Sequence, residues 1–98
     1  MRPVLWSKEA HQDNLEILRY IASDNPDAAE RVLDAIEDAG KKLGEFATGR
    51  LGRVTGTYEK SLTRFPYIIS YELRPIAGRE SVVILRVIHT ARDWPTQE

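Results

Sequence analysis

Apolar positions recur every three or four residues through the first half of this chain, and they alternate with polar ones through much of the second. Val4, Leu5 and Trp6 form a short apolar run that predicts a first strand, and Ser7 behind them is suited to cap a helix. From Lys8 to about Ala22 a stripe of Leu15, Leu18 and Ala22, widened by Ile17 and Ile21, leaves Glu9, Asp13, Glu16 and Arg19 for water. Asn25 can cap a second helix, with Pro26 at the first helical position, where its missing N–H is not needed. That helix carries Ala29, Val32, Leu33, Ile36, Ala39 and Leu43, with Phe46 extending the stripe and Lys41 and Lys42 placed to favour its C-terminal end. Gly40 inside it should cost about 1 kcal/mol relative to alanine. Two helices this closely joined form a hairpin.

Beyond Gly49 the period changes. Glycines 49, 52 and 56 bracket a short expected strand containing Arg53, Val54 and Thr55, while Thr57 to Arg64 reads as strand continued or as irregular chain. Tyr67, Ile69, Tyr71 and Leu73 alternate with Ile68, Ser70, Glu72 and Arg74, and a partner run extends from Val82 to Ile88. Residues 75–80, with Gly78 inside, should turn one strand back on the other. The last strand is apolar on both faces apart from Arg86 and His89, so one face should meet the helices and the other should await a further cover. The expected fold class is α+β, a helical hairpin on a small antiparallel sheet, in one domain over residues 1–98.

Charge divides the halves. The total is −1, from 14 lysines and arginines against 15 acids, but residues 1–45 carry −4 and residues 46–98 carry +3. Seven arginines in the second half (50, 53, 64, 74, 79, 86 and 92) could grip phosphate or carboxylate with a bidentate fork, or lie in solvated strand edges and turns. With no cysteine there is no thiol nucleophile, disulfide or sulfur-ligated metal, and no metal or other cofactor is expected. No apolar run is long enough to span a bilayer, and the opening residues leave no room for a signal-peptide core, so a cytoplasmic protein is expected.

Metal-free RNA cleavage needs a base for the 2′-hydroxyl, cations for the phosphorane-like charge and an acid for the leaving oxygen. His89, Arg86 and Arg92 could supply part of that set. The plainer reading of His89 is an imidazole at the core rim, bonded to backbone or to Asp93. Arg86, in phase with Ile84 and Ile88, should either pair with a cross-strand carboxylate such as Glu72 or receive an acidic partner segment. Trp6 and Trp94 read as seals of a small core, and Tyr58, Tyr67 and Tyr71 as cross-strand packing. The glycines of residues 49–56 lack the Gly-Lys-Ser/Thr ending of a nucleotide loop.

Taken together, Trp6-Ser7-Lys8-Glu9-Ala10, Asp24-Asn25-Pro26, Ala28-Ala29-Glu30-Arg31-Val32, Gly52-Arg53-Val54 with Gly56-Thr57, Tyr67-Ile68-Ile69 and the closing run from Ile84 to Pro95 give a pattern covering nearly the whole chain. In it the chain resembles the ParE branch of the RelE/ParE superfamily of type II toxin-antitoxin toxins. The resemblance implies a β-αα-βββ fold, poisoning of DNA gyrase, free or as its DNA complex, and a hetero-oligomer in which a cognate antitoxin covers the groove between helical hairpin and sheet. It implies no sequence-specific DNA binding by the toxin alone and no membrane partner.

RelE-like relatives instead cleave mRNA in the ribosomal A site, and here only His89, with Arg86 and Arg92, would serve that chemistry. A third reading is a non-toxic interaction module with the toxin fold. Where ParE-like sequences often read Gly-Thr-Arg-Glu, this chain has Gly56-Thr57-Tyr58-Glu59. Target-binding candidates are therefore Arg53, Tyr58, Arg64 and Arg92. For the antitoxin, an apolar segment should cover Ile84 and Ile88 while its carboxylates approach Arg86.

Overall fold

Two polar side chains set where the helices begin. In the computed structural model, which describes residues 1–91, the Ser7 hydroxyl accepts from the Ala10 N–H and the Asn25 side chain accepts from the Ala28 N–H. Each ties down a backbone donor that the first helical turn leaves without a partner. Helix α1 (Lys8–Ala22) and helix α2 (Pro26–Glu45) follow as the pattern predicts, with β1 (Val4–Trp6) before them. The remaining strands are β2 (Arg50–Leu51), β3 (Tyr58–Ser61), β4 (Tyr67–Ile76) and β5 (Arg79–His89).

The sheet order is β1-β5-β4-β3-β2. All neighbours are antiparallel except β1, which runs parallel to β5 with Val4 opposite Val82 and Trp6 opposite Ile84. The expected helical hairpin on a small antiparallel sheet is therefore present, with β1 added parallel at its edge to make the sheet mixed. The strand expected around Arg53 lies instead at Arg50–Leu51, where Glu59 and Tyr58 pair with it, and residues 52–57 form the turn. The β4–β5 turn tightens to Ala77 and Gly78, both with positive φ (51° and 79°), the two-residue geometry that matches the twist of a hairpin.

One irregularity in β5 reorders the faces. Ser70 pairs with Arg86 but Tyr71 pairs with Ile84, so Leu85 is a bulge residue and the side-chain alternation shifts there. Val82 and Ile84 face the helices before it, packed with Ala10, Leu43, Ile69 and Tyr71, while Val87 faces them after it, packed with Ile17, Val32, Ile36 and Tyr67. Ile84 and Ile88 consequently lie on opposite faces, against the shared face expected of them. Ile68, Val83 and Ile88, on the side away from the helices, are themselves buried, so that face is not the bare apolar surface the sequence predicts.

On α1 the packed stripe runs through Ala10, Ile17 and Ile21, and Leu15 is 51% exposed. Phe46 is exposed as well, at the end of α2 rather than in its stripe. Trp6 seals the core between Gly40 and Ile84, as expected; Trp94 lies outside the described residues. No helix among the described residues is long and apolar enough to cross a membrane.

Candidate functional site

Arg86 stands where β5 crosses α1, and its partner comes from the helix. Its Nε and Nη2 donate to the two carboxylate oxygens of Asp13 at 2.8 and 3.1 Å, and the Val87 N–H donates to the same carboxylate at 2.9 Å. Asp13 is therefore no water-facing residue, its side chain being only 12% exposed. The hydrogen bond to Asp13 raises the guanidinium pKa above its ordinary value against the opposing effect of burial, with the charges of Asp13, Glu16 and Glu9 adding to the rise. Glu72, the cross-strand partner expected for Arg86, pairs with Arg74 on its own strand.

His89 shares a small cleft of about 180 Å³ with Arg86, Asp13, Glu16 and Tyr20. Its Nδ1 accepts from the Ala91 N–H at 3.1 Å and its ring meets Tyr67 edge-on at 5.2 Å, the backbone-bonded rim position foreseen for it. Arg92, the third member of the RNA-cleaving set, lies outside the described residues. Among the described residues no three histidine, aspartate or glutamate side chains gather as metal ligands would.

A larger feature lies on the other side of the helical layer. Between α2 and residues 60–65 runs a groove of about 950 Å³ with Ala35, Ala39, Leu43 and Leu62 along its floor. Arg31, Asp34, Asp38 and Lys42 line it from the helix, Lys60 and Arg64 from the sheet side, and Phe46 stands at its end. Arg64 also carries its guanidinium 5.8 Å from the Phe65 ring centroid. The family resemblance implied a groove between hairpin and sheet, but of its lining only Arg64 was singled out, although small residues at 35 and 39 with charges at 31, 34, 38 and 42 is the spacing that gives one helix face a shallow, charge-edged channel.

The remaining target-binding candidates separate. Tyr58 is half-buried and stacked on Tyr71, ring centroids 5.6 Å apart, on the helix side of β3. Arg53 sits on the exposed turn between β2 and β3, its backbone N–H donating to the Glu59 carboxylate at 2.9 Å. Glu59 is buried, and its other oxygen accepts from Arg50 at 3.3 Å. Sequence reasoning passed over this carboxylate; the arginines at 50 and 53 near a lone acid were the available sign.

The Tyr71 hydroxyl donates to the Thr48 carbonyl at 2.6 Å. Burial pushes its phenol above the usual value of 10.0, Tyr58 adds to the rise and Arg2 opposes it. A phenol harder to ionise in the folded chain binds its proton after the unfolded chain has lost it, so its contribution is complete below pH 10 and fades as pH rises beyond. Denaturant midpoints should hold through the ordinary range and fall above about pH 10. Tyr71→Phe should soften that fall and cost about 1 kcal/mol at neutral pH, where the Thr48 carbonyl loses its donor.

Comparison with known proteins places these features. A family model described as ParE toxin of type II toxin-antitoxin system, parDE, matches residues 4–94. A Sinorhizobium fredii protein described as toxin Y4kP is 40% identical over 93 residues, covering 94% of this chain and 92% of the relative. A chain of the chromosomal ParDE TA system from P. aeruginosa shares the fold at TM-score 0.80 and 24% identity, covering 91% of this chain and 96% of that one. The toxin-antitoxin complex RelBE2 from Mycobacterium tuberculosis contains a chain that matches at TM-score 0.63 and 22% identity, covering 90% and 96%. Helical hairpin on small mixed sheet is the architecture in common.

Proposed function

This chain belongs to the ParE toxin family of type II toxin-antitoxin systems, and from that premise we propose that it arrests growth by binding DNA gyrase rather than by cutting RNA. Its cognate antitoxin, on the same reading, silences it by filling the groove between α2 and residues 60–65.

The observation that carries the choice of mechanism is the state of Arg86. A metal-free ribonuclease needs a cation free to meet the developing phosphorane charge. Arg86 instead holds the Asp13 carboxylate with two nitrogens, and Glu16 lines the same cleft, so an entering phosphate would meet negative charge before it met a cation. His89 Nδ1 is engaged by the Ala91 N–H, which leaves only its other nitrogen for proton transfer. Inhibition by binding requires no such set of reacting groups; it requires an accessible surface.

The groove supports the second half of the reading. An apolar floor between charged walls suits an amphipathic segment whose apolar side chains seat at helical spacing and whose charges meet Lys60, Arg64 and the α2 residues. The antitoxin contacts expected at Ile84 and Ile88 are not supported: Ile84 is fully buried beneath the helices and Ile88 is buried on the opposite face.

Purified toxin should abolish supercoiling by gyrase and leave cleaved DNA, with mRNA intact in arrested cells. Absence of inhibition at high micromolar toxin, or codon-linked mRNA cuts lost in His89→Ala, would overturn the mechanism. Ala35→Arg, which puts a long side chain across the groove, should weaken antitoxin binding by about 100-fold, the loss typical of a blocked central contact, while toxicity persists. Titration of labelled antitoxin checks it.

A further inference from the structure

We propose that Lys60 and Arg64 decide which antitoxin this toxin accepts: the segment that fills the groove is a helix with carboxylates along the edge facing the sheet, and it seats in one rotational setting. The proposal rests on the reading above that the antitoxin occupies the groove between α2 and residues 60–65, and it adds the chemistry of that occupant.

The two walls of the groove differ in charge. On the helix wall Lys42 pairs with Asp38 at 3.0 Å, one turn away, and Arg31 stands one turn from Asp34, so the cations there are offset by acids of the same helix. Glu45, next to Phe46, adds a negative charge at the end. The sheet wall has no such balance. Lys60 sits opposite Ile69 of β4, which is packed in the core beneath the helices, so Lys60 is on the helix side of the sheet, where it lines the groove. Arg64 is exposed and carries its guanidinium over the Phe65 ring. Among the described residues neither Lys60 nor Arg64 has a carboxylate partner.

The floor selects a helix. Ala35, Ala39 and Leu43 recur every four residues, a row against whose small members the side chains of a second helix can seat. From Arg31 to Glu45 the helix wall extends about 21 Å at 1.5 Å per residue, close to four turns. A helix lying there turns one edge to the sheet and the other to α2. Carboxylates on the sheet edge meet Lys60 and Arg64; rotated the other way, they face Asp34, Asp38 and Glu45, and like charges brought together reject the wrong setting more strongly than the right one gains. Nucleic acid fits less well, since its phosphates would lie over an apolar floor with acids on the far wall.

The test uses full-length toxin and antitoxin, read by titration of labelled antitoxin and by the rate of association. Lys60→Gln/Arg64→Gln should bind about tenfold more weakly, mostly through slower association, and should lose most of the parent's salt dependence. Lys60→Glu/Arg64→Glu should bind about 100-fold more weakly. An antitoxin whose groove-facing carboxylates are exchanged for lysines should recover about tenfold of that loss and bind the parent toxin poorly. Asp34→Asn, on the balanced wall, should stay within about twofold. Both double variants should melt like the parent, since neither position is buried.

A folded reversal variant that binds antitoxin as the parent does, while Ala35→Arg weakens binding, overturns the proposal and leaves the groove reading intact. Binding unchanged in both overturns the two together. A loss in the reversal variant that the lysine-exchanged antitoxin does not recover also overturns it, because shape and not charge was then removed. Should the reversal variant fail to fold, the parent's own association carries the test, and a rate independent of salt overturns the proposal. If toxin alone binds duplex DNA and the glutamine variant loses that binding with antitoxin affinity unchanged, the sheet wall belongs to nucleic acid and the proposal fails.

Discussion

Replacing Asp13 by alanine is expected to lower the unfolding free energy by roughly 2–4 kcal/mol. The carboxylate ends three hydrogen bonds, two from Arg86 and one from the Val87 N–H, and its removal leaves a strand donor and a half-buried guanidinium without their acceptor. The Arg86 side chain is 41% exposed, so water recovers part of its loss and the upper end of the range applies only if the cleft stays closed. Asp13→Asn, which keeps an acceptor for Val87, should cost about half as much. Asp13 holds the Arg86 pKa above its ordinary value, so its share of this stabilisation is present at every pH below that ordinary value and is lost only beyond it. Urea titrations at neutral pH measure the loss, and a change under about 0.5 kcal/mol would mean the pair does not anchor α1 to β5. Replacing both members by apolar residues, Asp13→Leu with Arg86→Met, should recover much of the stability, since neither charge is then left alone. That double variant should still arrest growth under the gyrase mechanism.

The second large effect is expected at Gly40, which sits inside α2 where a glycine is costly by propensity alone. A Cβ there would lie 2.5 Å from the Trp6 ring and 2.9 Å from the Ile84 methyl. Alanine gains about 1 kcal/mol of helix propensity, but it has to displace a rigid indole that is wedged between β1 and the helix. A net loss of about 1 kcal/mol is therefore expected for Gly40→Ala, because overpacking typically costs 1–3 kcal/mol. Gly40→Val adds branching at the same point and should lose about 3 kcal/mol or more. Thermal melts of the two variants, with tryptophan emission as a second signal, measure both; a stabilised Gly40→Ala would mean that Trp6 yields freely.

These two positions also show where sequence could and could not speak. Helix limits were legible because the Ser7 and Asn25 caps, Pro26 and the apolar stripes are local signals. Asp13 was legible in principle, since it falls three residues after Ala10 and four before Ile17 on the packed stripe, but a charged side chain was assigned to water by type. The bulge at Leu85 was not, because residues 82–85 are apolar on both faces and offer no alternation for a slip to break, so only pairing with Ser70 and Tyr71 reveals it. That slip is why Ile84, Arg86 and Ile88 do not form one surface. Nor could β2 be placed from its own residues: the glycines marked a break, while the register was fixed by Glu59 and Tyr58 across the turn. Gly40 looked like a defect in a helix until the indole facing it was known.

The pairing of β1 with β5 bears on when this protein comes into being during its own synthesis. Val4 to Trp6 lie beside Val82 to Ile84, Ser7 donates its N–H to the Ile84 carbonyl, and Arg2 meets Glu80. Residues 4–6 thus have no strand partner until residues 82–84 have been made, and contacts of such sequence separation are the slow ones to form. A half-translated chain can make the helical hairpin but lacks the β5 side chains that both halves of the core require. The complete fold is in that way deferred until β5 has been made.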